Sequence, residues 1–154
     1  MTDFSLAETR AWVERAVIGL QLCPFAKAPH VKGQVRYVVS DATAAESLLL
    51  ALVDELKLLA ASPPDRIETT LLVHPRALID FHEHNDFLSL AEAALVELGL
   101  EGVIQIASFH PEYRFSGSAA NDIANATNRS PHPTLHLLRE DSIERALASF
   151  PHPY

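Results

Sequence analysis

Ile67-Glu68-Thr69-Thr70-Leu71-Leu72-Val73-His74-Pro75 is the stretch on which the reading of this chain turns. Its run from Ile67 to Val73 is β-branched and apolar, as a strand requires, and His74-Pro75 ends it because proline has no N–H to give to a ladder. Val103 to Phe109 repeats the pattern and ends in His110-Pro111. Upstream, Val35 to Ser40 is a further strand, and downstream Thr134 to Leu138 is a short fourth one.

Helical patterns separate these strands. Thr43-x-x-Glu46 reads as a capping box that opens a leucine-rich helix to about Ala61, and Ser62-Pro63-Pro64-Asp65 is a turn. After His74-Pro75, Ala77 to Asp86 is less regular than Leu88 to Leu98, and Gly99 stands where a left-handed C-terminal cap belongs. At the start, Ser5-Leu6-Ala7-Glu8 caps a helix whose stripe is Trp12, Val13, Ala16, Val17 and Leu20; Pro24 stops it near Cys23. At the end, Asp141 caps a helix from Ser142 to Ser149.

Strands joined through helices are expected to run parallel. The fold class that follows is α/β, a mostly parallel four-stranded sheet with flanking helices in a single domain over residues 1–154. A ferredoxin-like α+β sheet is the alternative, since the last strand can run antiparallel.

Composition narrows the function classes. The 154 residues carry a net charge of -8, which argues against nucleic acid and against a polybasic membrane patch. Between Asp41 and Glu101 twelve acidic residues face three basic ones, whereas Ser108 to Arg139 holds Glu112 and Asp122 against Arg114, Arg129 and Arg139. The C-terminal half can therefore meet an anion. With Cys23 alone there is no internal disulfide and no cysteine-based zinc site. No signal-peptide pattern and no membrane-spanning run is read, so the expected place is the cytoplasm.

If the second and third strands are parallel, His74 and His110 emerge at one carboxyl edge, where open α/β sheets usually bind ligands. Arg76, Ser40 and Asp41 open on the same rim, and a polar loop from Glu112 to Pro133 begins there. A loop of that length usually has a functional reason. Each member also has a plain structural role open to it: histidines that bond a turn, asparagines that form Asx-turns, arginines that clamp carbonyls.

Cys23 lies at a helix C-terminus, where the dipole disfavours a thiolate, so a buried structural thiol is the simpler reading. His82 and His84 in Phe81-His82-Glu83-His84-Asn85-Asp86 lie two apart and do not share a helix face, so the segment reads as a solvated turn. There is no Gly-x-Gly-x-x-Gly, Walker loop or Gly-x-Ser-x-Gly elbow, and only five glycines to build one.

Leu22-Cys23-Pro24-Phe25-Ala26, Asn85-Asp86-Phe87-Leu88 and Gly102-Val103-Ile104-Gln105-Ile106-Ala107-Ser108-Phe109-His110-Pro111-x-Tyr113-x-Phe115 resemble a bacterial domain-of-unknown-function family. So does Asn125-x-x-Asn128-Arg129-Ser130-Pro131-x-Pro133-x-Leu135-His136-Leu137-Leu138-Arg139-Glu140. His132 stands where that family's pattern suggests Tyr. The resemblance implies a small bacterial cytoplasmic protein and supplies no activity or cofactor.

The leading expectation is an enzyme acting on a small anionic metabolite. His110 serves as acid or base, His136 assists, and Cys23 is a third catalytic candidate. Arg129, Arg139, Asn128, Tyr113, His74 and Arg76 are the candidate substrate contacts. A metal site of His74, His110 and His136 and a non-catalytic ligand-binding or interaction domain are the alternatives. The cofactor stays unknown at this level, as does the oligomeric state.

Overall fold

The computed structural model describes residues 7–8, 11, 35–113, 130–141 and 144. Its elements run β1 (Val35–Val39), α1 (Ala45–Ala61), β2 (Thr69–Val73), α2 (Phe81–Glu97), β3 (Ile104–Phe109) and β4 (Thr134–Arg139). The helices expected at the two ends of the chain fall mainly outside these residues, although Ala7, Glu8, Ala11, Glu140, Asp141 and Glu144 are helical.

The four strands make one mixed sheet in the order β1-β2-β4-β3. β1 and β2 are parallel, whereas β4 is antiparallel to both β2 and β3. The class is thus α+β, and a mostly parallel sheet is corrected: only β1–β2 is a parallel pair. The antiparallel last strand on which the alternative was based is present. The order β-α-β-α-β-β nevertheless differs from the ferredoxin-like β-α-β-β-α-β. β2 and β3 still point the same way, because β4 opposes both. Val73 and Phe109 both pair with Thr134, so the two strands end at one edge with the start of β4 between them.

One face of the sheet packs on the helices. Leu48, Leu52, Leu56 and Leu59 repeat along α1 at helical spacing and are fully buried. With Phe87, Ala91, Ala94 and Leu95 of α2 they close on Leu72, Ile104, Ile106, Leu135 and Leu137. Burying a leucine of this kind contributes about 2 kcal/mol. The second face is covered too, since all five residues of β2 are buried.

The helix ends show which local signals operate. Ala44, not Thr43, is the N-cap of α1 and makes no side-chain capping bond; the Ser47 hydroxyl donates to the Ala44 carbonyl instead. α2 starts earlier than its regular sequence pattern, at Phe81, because the Asp80 carboxylate accepts from the Glu83 N–H at 3.1 Å. At its other end Gly99 takes φ 71°, its N–H donates to the Val96 carbonyl and the Leu100 N–H donates to the Leu95 carbonyl. This is the paired closure that a left-handed glycine permits. Among the described residues, no helix is long and apolar enough to cross a membrane.

Candidate functional site

The strand ends set the site. Strand residues alternate between faces, so His74 continues the helix-side row of Thr70 and Leu72, and His110 continues that of Ile104, Ile106 and Ser108. Both rings therefore meet the beginning of α2, which supplies His84. His74, His84 and His110 are all buried, at 0%, 0% and 1% exposure. The His74 and His84 rings stack at 5.2 Å with an interplanar angle of 20°, and His84 lies 5.0 Å from His110. Phe81 closes the group, edge-on to His110 and to Tyr113 at 5.4 Å each.

Hydrogen bonds fix the tautomers of two of these rings. His74 Nδ1–H donates to the Ala77 carbonyl at 3.0 Å, which leaves its Nε2 as a lone pair. His110 Nε2–H donates to the Leu78 carbonyl at 3.2 Å, and its Nδ1 accepts from the Glu112 N–H at 3.0 Å. Both rings thereby hold the turn at residues 76–80, where Leu78 sits at φ 55°, a left-handed conformation rare for a branched side chain. His110 is fully partnered. Among the described residues, His74 Nε2 and both ring nitrogens of His84 have no hydrogen-bond partner.

Burial, reinforced by neighbouring His110, pushes His74 down to about 4. Burial again, then the charges that His74 and His110 would carry, pushes His84 down to about 3. These rings are neutral at physiological pH. Burial likewise raises the Tyr113 phenol.

The remaining candidates scatter. Arg76 is exposed in the turn directly after His74-Pro75, on the rim. His136 is not part of the cluster: on β4 it alternates with Leu135 and Leu137 and so faces the opposite side of the sheet. There it bonds the Thr69 hydroxyl at 2.9 Å and stacks obliquely on Phe109. Since the Thr69 hydroxyl donates to the Leu137 carbonyl, His136 Nε2–H is the donor to Thr69. Burial pushes His136 down to about 4. The metal set His74, His110 and His136 is corrected on this ground, because the sheet separates its third member from the other two. Among the described residues no three His, Cys, Asp or Glu side chains form a metal-ligand group.

Arg139 pairs across from Ile104, at the far end of the strands from Thr134, about 17 Å away at 3.4 Å per residue. Its guanidinium binds the carbonyls of Leu59, Ser62 and Ile67 at 2.7–3.2 Å. It clamps the end of α1, away from the histidines. Cys23, Asn128 and Arg129 lie outside the described residues, as does most of the polar loop.

Sequence reasoning passed over His84. The signal was present: His84, Phe87, Ala91, Ala94 and Leu95 form one helical stripe, and His84 occupies an apolar position in it. Capping α2 with Asp80, so that it starts at Phe81, fixes that phase. The exposed member of the pair is His82.

The sequence matches the family described as a protein of unknown function (DUF1415) over residues 5–154, and the chain belongs to that family. No curated protein and no solved structure matches it.

Proposed function

We propose that this chain is an enzyme of the bacterial cytoplasm acting on a small anionic metabolite at the carboxyl edge of β2 and β3. His74 and His84 are its polar contacts, Arg76 stands at the mouth and Tyr113 flanks them. The observation that carries this reading is the set of three buried ring nitrogens without a partner, on two stacked side chains. Each such group destabilises the fold by roughly 1–3 kcal/mol, a deficit that functional sites tolerate and cores avoid.

The anionic character rests on Arg76, exposed directly after His74-Pro75. Asp80, Glu83 and Glu112 stand on the same rim and repel an anion, so a negative group is best held at Arg76. His110 keeps both nitrogens on backbone groups, which makes it a support for the turn; acid–base work by its ring requires one of those bonds to break. That commitment favours a second reading, binding without turnover.

The test is a titration of the 15N-labelled chain with a panel of small carboxylates and phosphates. Signals of residues 74–84 and 110–113 are expected to move, with affinity at least tenfold weaker in Arg76→Ala. No response in that region to any member, or equal affinity in the variant, overturns the proposal. Product signals from a bound member separate the enzyme from the binding protein.

A further inference from the structure

We infer that the group meeting His74 is a hydroxyl of the small molecule, so that the ligand is a hydroxylated carboxylate or phosphate rather than a bare one. The inference rests on the site proposed above and names what that site selects.

The tautomer carries the argument. A carbonyl only accepts, so the bond to Ala77 places the proton of His74 on Nδ1 and the lone pair on Nε2. That lone pair is buried and unpartnered. A carboxylate or phosphate oxygen would oppose it lone pair to lone pair; a donor satisfies it. The stacked neighbour His84 is neutral as well and brings one N–H and one lone pair, both unpartnered. A hydroxyl can donate to one ring and accept from the other, which an ammonium cannot do. The contact is recognition and not deprotonation, because a ring held near 4 is too weak a base to ionise an alcohol.

The experiment uses the full chain labelled with 15N-histidine. Imidazole correlation spectra are recorded alone and then with matched acids that differ by one hydroxyl: glycolate against acetate, lactate against propionate, malate against succinate. The expected free state has His74 protonated on Nδ1 and bare on Nε2. The expected titration moves the His74 and His84 rings at several-fold lower concentration with the hydroxylated member of at least one pair. Protonation of Nε2 in the free protein overturns the inference before any ligand is added and leaves the site proposal standing. Equal response to both members of every pair does the same. No response of these rings or of the residue 76 amide to any acid removes both. Zinc taken up at one equivalent through the His74 and His84 rings overturns the inference in favour of a metal at that lone pair.

Discussion

The two edges of the sheet treat buried polar atoms in opposite ways. At the edge where β1 to β3 begin, Arg36 Nε and Nη2 bind the Glu55 carboxylate at 2.8 and 3.2 Å, tying β1 to α1. Arg139 there spends its guanidinium on three carbonyls around the end of α1, where a cation also suits the helix dipole. At the edge where those strands end, His74 and His84 lie deeper, fully buried, with three ring nitrogens unbonded among the described residues. The first edge is built to hold the fold, although the Thr70 hydroxyl, second in β2, is also buried without a partner among the described residues. The second gives up stability, and the proposed site rests on that deficit.

The comparison can be broken most sharply by pH. In the unfolded chain His74, His84 and His136 titrate near 6.5, whereas in the fold they sit at about 4, 3 and 4. Between those values only the unfolded state takes up protons. Stability is therefore complete above about pH 6.5 and is lost as pH falls towards 4 for His74 and His136, and towards 3 for His84. Each ring contributes a slope of about 1.4 kcal/mol per pH unit within its window. Urea unfolding at pH 7.5, 6 and 5 is expected to show a steep fall; a flat profile would mean that the rings are not buried.

Arg139→Met tests the satisfied edge. It strips the carbonyls of Leu59, Ser62 and Ile67 of a charged donor, and a loss of about 3 kcal/mol is expected in urea unfolding at pH 7.5. Ligand-induced shifts at residues 74–84 should persist in the folded variant. A loss below about 1 kcal/mol would deny the clamp its structural role.

The smallest effect has the opposite sign. His84→Leu replaces an unpartnered imidazole with an apolar side chain of similar size, so stability at pH 7.5 is expected to rise by about 1 kcal/mol. The acid slope should flatten, and ligand response should vanish. A marked destabilisation at pH 7.5 would show that His84 is a partnered core residue and would erase the contrast between the edges.

Much of this arrangement was legible in local patterns. Residues 67–73 and 103–109 each announced a strand and its stop, and β2 and β3 do end together with His74 and His110. Gly99 declared the end of α2 because few other residues accept φ 71°. What local pattern does not encode is pairing. Nothing within Thr134–Arg139 states that the strand inserts between β2 and β3, and that insertion turns His136 to the far face and carries Arg139 to the far edge. His84 was missed for a different reason: two histidines two apart look like a solvated turn until the helix phase is fixed by Asp80.

The placement of β4 also imposes an order in time. The last of the described strands in the sequence lies inside the sheet, and its contacts reach far back; Thr69 and His136, bonded in the fold, are 67 positions apart. A chain emerging from its N-terminus can pair β1 with β2 early, but β3 has no ladder until residue 134 and its successors arrive. Contacts of such separation are slow to close. Thr134 is also the residue that joins the ends of β2 and β3, so the histidine edge is complete only once that residue has paired with both. Until then the ends of β2 and β3 have nothing between them to hold them side by side.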